Sequence, residues 1–410
     1  MTTQTTAGPA AAAERIGAID ALRGFALLGV FVANMFTGFS GWFMLDEAQR
    51  LGMIGMVADR ASGLAFLALV DGKFYSLFSM LFGAGFAIQL ARLSKRGADG
   101  PTLFRRRMTA LLGIGLIHLI LIWFGDILTL YALCGFVLLW LRNWSDRRLV
   151  WVAIGLILIV APAKAALRAL GVPLDMGAYG LIHALAQAQG VPGMLDVPPP
   201  QAVQIMAQPG WDRFYAYQFQ GVFWRIGYLL ETGRLFKVMA LMMLGMWAGR
   251  RLAAGTLLGD RRLLRRILVF GLCLGLPANL LYAFGVATAD GGATNALIQD
   301  IGYALGVIPL AMAYGAGFLL AWPRVGWLLG LFTPAGRMAL THYVSQSILG
   351  SLIFFGIGLG WAGRLNPLQI IGLTLGLFAI QILISVVWLR LFRQGPLESL
   401  WRRLTYGRGA

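Results

Sequence analysis

The sequence predicts an all-α fold, a polytopic integral membrane bundle of about ten transmembrane helices, on three observations. Of its 410 residues, 59% are hydrophobic and only 12% charged, whereas a soluble domain carries about 25% charge. The apolar residues run in stretches close to the roughly 20 that a helix needs to cross the hydrocarbon core. The basic residues fall in short clusters between those stretches, as they do in cytoplasmic loops.

The same composition excludes other classes. A mean hydropathy of +0.74 leaves more apolar surface than one water-soluble core can hide. The 54 glycines suit close approach of membrane helices. A net charge of +17 does not mark a nucleic-acid binder, because the charge is divided among loops. Cys134 and Cys273 each sit inside an apolar run, so no structural disulfide is expected. The three histidines show no metal-ligand spacing, and no metal is expected.

Ten segments qualify as spans, at about 17–37, 64–91, 108–125, 127–141, 149–170, 234–249, 267–287, 297–322, 338–361 and 367–391. The third and fourth are short, parted by Gly125 and Asp126, and read as a tight helical hairpin. With a cytoplasmic N-terminus, 24 of the 34 basic residues fall on the inside, which places both termini in the cytoplasm. Residues 1–15 lack the layout of a signal peptide and are expected as a disordered cytoplasmic tail. A single transmembrane domain is expected over 16–404, with an N-terminal half to 170, an outer loop over 171–233 and a C-terminal half from 234. In that loop WDRFYAYQFQGVFWRIGYLLE reads either as an interfacial helix or as the aromatic belt of a span.

Charged groups at membrane depth cost about 2.5–3.5 kcal/mol each on insertion scales. Polar residues inside the spans therefore carry the most information. Asp20 and Arg23 stand three apart on the first helix and suit a structural ion pair. Asn34 lies further along it, either as interhelical glue or as a donor to substrate. Asp71 and Lys73 are two apart and face different ways, so each needs another partner; Asp126 suits Lys73 by depth. His118 and Asp126 are eight apart, about 80° off one helix face, but a break at the glycine before Asp126 brings them closer. A neutral histidine held by a carboxylate is a general base; a satisfied structural histidine is the alternative. His342, Ser345 and Gln346 form a polar patch in the ninth segment, which lines a cavity or joins helices. His183, in the outer loop, reads as solvated. The chain carries no P-loop, nucleophile elbow, dinucleotide fingerprint or zinc-protease motif.

The stretches IDALRGFALLGVFVANM, DGKFYSLFSMLFGAGFAIQL, GLIHLILIWFGDILTLYALCG, LMMLGMWAGR and GRMALTHYVSQSIL resemble the YeiB family of bacterial inner-membrane proteins. From about 230 to 404 the chain resembles that family's domain of unknown function 418, including GPLESLWRRLTYG. The family is in turn similar to transmembrane acyltransferases such as heparan-α-glucosaminide N-acetyltransferase, through a D-x-L-R-G helix ending in Asn and a second helix opening with Asp. Those positions are Asp20, Arg23, Gly24, Asn34 and Asp71 here. The resemblance implies transfer of an acyl group from cytoplasmic acyl-CoA, such as acetyl-CoA, to a glycan or lipid across the membrane. The acetyltransferase relatives place a histidine in the loop between the first two spans. Residues 38–63 contain none, and His118 is the candidate to replace it.

On that reading His118, Asp126 and Asn34 are catalytic. Asp71, Lys73, Tyr131, His342, Ser345 and Gln346 are substrate-binding candidates. Arg337, with Arg105, Arg106 and Arg107, meets the CoA phosphates, topology control being the alternative for the triplet. Acyl-CoA is a co-substrate rather than a resident cofactor. The partners are membrane lipids and a glycan or lipid acceptor; a homodimer is compatible with the sequence, though no motif fixes it. The second function class is a transporter or lipid-handling protein without chemistry, whose buried charges line a pathway.

Overall fold

Backbone N–H and C=O groups in hydrocarbon must be satisfied within their own segment or by buried protein, which restricts a chain of this composition to helices. In a computed structural model describing residues 9–54, 56–95, 97, 99–288 and 292–407, every regular element is helical. Helix α1 spans Pro9–Asn34 and ends in a π-turn, Met35–Phe39. It thus reaches back into the stretch expected as a tail, whose residues 1–8 lie outside the described residues. After α2 (Glu47–Ile54), the second apolar run forms α3 (Met56–Leu69) and α4 (Lys73–Lys95), parted by a turn at Val70–Gly72. Asp71 therefore sits in a break rather than on a continuous helix.

The chain continues through α5 (Gly100–Ile117), a π-turn (His118–Ile122), α6 (Leu128–Leu141) and α7 (Asp146–Ala169). Three helices, α8 (Ala178–Gln189), α9 (Pro199–Met206) and α10 (Trp211–Glu231), occupy the expected outer loop. The aromatic stretch is thus a helix of its own, cut from the next element at Gly233, whose φ of +61° favours glycine. The remaining elements are α11 (Arg234–Ala253), α12 (Arg261–Ala287), α13 (Ala293–Leu329), α14 (Thr333–Arg337), α15 (Ala339–Phe354), α16 (Pro367–Leu391) and α17 (Pro396–Tyr406).

Helix starts follow local chemistry. Ser145 accepts from Arg148 N at the head of α7, and Asp260 accepts from Leu263 N at the head of α12. Asn366 and Gln369 form a reciprocal capping box on α16, satisfying donors that a helix end leaves orphaned.

Among the described residues, six segments are long and apolar enough to cross a membrane: Gly17–Met44, Arg60–Lys95, Asp146–Ala169, Arg261–Ala287, Thr294–Arg337 and Pro367–Leu391. Their outward faces are greasy. Leu383 and Val387 of α16 are 65% and 58% exposed, a surface that suits lipid rather than water. This is the build of a multi-pass membrane protein. Inside the bundle, small residues set the spacing. A Cβ on Gly245 would overlap the Met80 carbonyl, and one on Gly83 would overlap that of Met242, so α4 and α11 cross backbone to backbone.

Candidate functional site

Helix α5 ends in the π-turn at His118, and Trp123 then adopts an extended conformation before α6 begins. Breaking a helix at membrane depth frees carbonyls that need new partners. Gln218 of α10 donates to Leu119 O at 2.8 Å, and Ser351 of α15 donates to Ile122 O at 3.4 Å. Trp123 fills the gap left by the break, stacking on Phe39 with ring centroids 4.3 Å apart. The break turns the chain so that His118 Nδ1 lies 3.0 Å from Asp126 Oδ1, each side chain 1% exposed. The hairpin and the His118–Asp126 approach both follow from it.

Asp126 is held by its neighbours. Its carboxylate accepts from Leu128 N at 3.0 Å and Thr129 N at 2.7 Å, which caps α6. Its backbone carbonyl accepts from Arg225 Nη2 at 2.6 Å. His118 is less constrained: its approach to Asp126 is close but not aligned as a hydrogen bond, and Nε2 is buried without a partner. A buried, unpaired ring nitrogen costs about 1–3 kcal/mol, and it is the atom a base needs free. The His118 ring packs on Tyr343, centroids 5.1 Å apart. Tyr343 accepts from Ile127 N at 3.2 Å, next to Asp126.

Tyr343 and Ile127 form part of the wall of a cavity of about 1020 Å³. Its opposite end carries Arg23, Arg92, Lys95, Arg107, Arg337 and Arg402. The acidic residues on that wall are both engaged. Asp20 pairs with Arg23 at 2.9 Å, the ion pair expected from their spacing. Glu398 of α17 accepts from Leu340 N and from the Thr341 hydroxyl, capping α15. Helix α17 is pinned beside this end, where Trp401 Nε1 donates to Arg107 O and the Arg107 guanidinium stacks on its ring. Between the two ends the wall is apolar and aromatic, with Phe78, Phe82 and Tyr131. Tyr131 and Ser79 hydroxyls meet at 2.7 Å.

The other expected site residues fall in separate places. Arg105 and Arg106 do not line the cavity; of that triplet only Arg107 does. Lys73 is not the partner of Asp126: its ammonium donates to Leu67 O at 2.6 Å, beside the break that frees that carbonyl. Asp71 accepts from the Tyr282 hydroxyl at 2.9 Å. Asn34 makes no side-chain hydrogen bond among the described residues and closes α1 one turn before Phe39. His342, Ser345 and Gln346 join α15 to α16. Ser385 donates its only proton to Gln381 O, so it accepts from His342 Nε2 at 2.5 Å. Gln381 donates to Ser345, and Gln346 donates to Gln381. This patch joins helices and does not line the cavity. His183 is exposed and contacts Asp196 at 3.1 Å.

Three cations, Arg225, Arg234 and Lys237, are not among the expected site residues, because no spacing in the sequence links the end of the aromatic stretch to the start of the following span; Arg225 bonds the Asp126 carbonyl, and Arg234 and Lys237 lie over the Tyr75 and Tyr303 rings. Tyr343 was hidden for another reason. It follows His342 directly, but the helix turns the two side chains to different neighbours.

No solved structure matches this chain. A family model described as "Protein of unknown function (DUF418)" matches residues 248–408. The uncharacterized protein YxaH of Bacillus subtilis (strain 168) is 31% identical over 414 residues, covering 96% of this chain and 94% of the relative. The uncharacterized protein YeiB of Escherichia coli (strain K12) is 29% identical over 421 residues, covering 96% of each. By its full-length similarity to these relatives and its match to the family model, the chain belongs to the DUF418 family, with YxaH and YeiB as homologues.

Proposed function

We propose that this chain is a transmembrane acyltransferase that takes an acyl group from cytoplasmic acyl-CoA and passes it to an envelope glycan or lipid. The observation that carries the reading is the cavity, basic at one end and walled at the other by the residues that pack on His118 and Asp126. The positive-inside rule assigns the basic end to the cytoplasm. The helices then give ten spans: α1, α3–α4, α5, α6, α7, α11, α12, α13, α15 and α16. Both termini are cytoplasmic, and α8–α10 cover the outer side of a bacterial inner membrane.

The chemistry follows from the dimensions and the charges. A volume near 1000 Å³ suits an extended cofactor-sized ligand. Arg and Lys side chains at the mouth suit the phosphates of CoA, and the apolar stem suits its arm. At the far end His118 Nε2 takes the proton of an acceptor hydroxyl, Asp126 steadies the ring, and the acceptor oxygen bonds to the acyl carbon. The carbon–sulfur bond breaks, and the CoA thiolate leaves towards the cytoplasm and is protonated. Tyr343 stands between His118 and the cavity, so its side chain must swing aside for transfer.

The reading is tested by donor binding and turnover with purified protein, comparing wild type with His118→Ala. CoA release that depends on His118 supports it. Equal release from both proteins removes His118 from the role of base. A lipid-handling protein without chemistry would bind lipid but release no CoA.

A further inference from the structure

Three basic side chains lie close together at the end of the bundle carrying α10. Arg225 and Arg234 stand on either side of the break between α10 and α11, and Lys237 is one turn further on. Tyrosine rings link them. The Tyr228 ring has the Arg225 guanidinium at 5.7 Å and that of Arg234 at 5.0 Å. Arg234 also lies 4.2 Å from the Tyr75 ring centroid. The Tyr75 hydroxyl meets that of Tyr303 at 3.1 Å, and the Lys237 ammonium sits 4.1 Å over the Tyr303 ring.

These cations have carboxylates nearby but not in direct contact: Asp126 acts on Arg225, and Asp71 on Arg234 and Lys237, from beyond ion-pair distance. None makes an ion pair with a carboxylate among the described residues. Nearby Asp71 accepts from Tyr282, Asp300 holds Lys164 and Arg168, and Glu231 accepts from Tyr179. Lys237 is 8% exposed and its ammonium has no hydrogen-bond acceptor among the described residues; Arg225 is 7% exposed with Nε unpartnered. Aromatic faces offset part of the cost of such burial, but a cation of this kind is stable at membrane depth only when an opposite charge or polar ligand completes its shell.

We propose that Arg225, Arg234 and Lys237 form a binding site for a phosphate group, with Tyr228 and Tyr303 as its aromatic sides. Guanidinium forks and a neighbouring ammonium match the geometry and charge of phosphate oxygens. The site is placed to serve the transfer proposed above. Tyr75 belongs both to it and to the cavity wall, and Arg225 bonds the carbonyl of Asp126. A phosphate-bearing acceptor anchored here would lie next to the His118–Asp126 pair. Leu235 and Phe236, 39% and 51% exposed on the same turn, give an apolar flank along which a lipid tail can lie. The phosphate belongs either to such a lipid or to a soluble compound, and the test distinguishes the two sources.

This inference deepens the acyl-transfer reading, but binding is measured with no acyl donor, so the two fail separately. The full-length protein in neutral detergent is titrated with short-chain phosphatidic acid, with inorganic phosphate and with the matching diacylglycerol, and its melting temperature is followed. Phosphatidic acid is expected to raise the melting temperature by several degrees, in line with ligand linkage, and diacylglycerol to leave it unchanged. A shift with inorganic phosphate at similar concentration assigns the site to a soluble phosphate and still supports it. The doubly substituted Arg234→Gln, Lys237→Met protein should require at least about tenfold more ligand for the same shift. The unliganded double variant should itself give a cooperative melt, as should Lys237→Met alone, which shows that both variants fold. No shift with either phosphate compound, or an unchanged titration in the double variant, overturns the proposal.

Discussion

His118 and Asp126 stand eight residues apart in sequence, on what a straight helix would make different faces, yet their side chains approach to 3.0 Å. The π-turn at His118 and the extended Trp123 close that gap. π-turns recur at functional sites, and this one closes α5 and sets the direction of the side chain at its start. Here the re-aimed group is a histidine whose second nitrogen is left free inside the protein.

Substitution separates the roles of the pair. His118→Ala should lower acyl transfer by about 10²–10⁴-fold, the usual contribution of a general base, with little change in donor KM. Asp126→Asn keeps an acceptor oxygen for α6 and should lower kcat while the protein still folds. Asp126→Ala also removes the cap on Leu128 and Thr129 and should cost a further 1 kcal/mol or so of stability. Steady-state kinetics alongside thermal melts distinguish the three.

The cavity mouth makes a prediction about the donor. Arg92 and Arg337 line it, whereas Arg105 and Arg106 do not. Replacing Arg92 and Arg337 together by Ala should raise donor KM about tenfold with kcat nearly unchanged, the mark of lost uniform binding. Replacing Arg105 and Arg106 should leave KM within twofold, on the scale of surface charges away from a site. Wild-type KM should also rise with salt.

The α15–α16 patch gives the opposite pattern. His342→Ala leaves the Ser385 hydroxyl without its donor and removes a buried ring, so stability should fall by about 1–3 kcal/mol. Turnover per folded molecule should be unchanged, because this patch does not line the cavity. A loss of kcat at full folding would move His342 into the site.

Glycine packing supplies a control that involves no chemistry. Gly245 has the Met80 carbonyl where a Cβ would be, and backbone cannot yield as a flexible side chain can. Gly245→Ala should destabilise by about 1–3 kcal/mol, visible as a lower melting temperature and poorer yield. Gly113, with open space around it, should tolerate alanine.

Much of the fold was legible because the bilayer imposes one length and one secondary structure on each span. The segment read at 367–391 coincides with α16, and that at 149–170 differs from α7 by three residues at its start. Breaks were harder to see. Asp71 and Gly72 turn the chain between α3 and α4 inside a run long enough for one span, where the charges at Asp71 and Lys73 do not by themselves distinguish a break from a polar site on a continuous helix. The Asp20–Arg23 pair was readable because i and i+3 share a helix face. The His118–Asp126 pair was readable only as a consequence of a break, flagged by Gly125. Depth alone makes Asp126 a candidate partner for Lys73, but depth does not say which carbonyl a helix break will free; Leu67 O is that carbonyl. Arg225, Arg234 and Lys237 escaped notice because their meeting depends on how α10 folds against α11, which no spacing rule encodes.

The most direct test of the account supplies purified full-length protein, in lipid nanodiscs, with acetyl-CoA labelled in the acetyl group and with an envelope lipid and glycan extract. Free CoA and labelled acceptor are then measured together. The account predicts that both appear in equal amounts with wild type and fall by at least about a hundredfold with His118→Ala. Failure of the wild-type protein to bind the donor, or CoA release no greater than that of the His118→Ala protein, would contradict it.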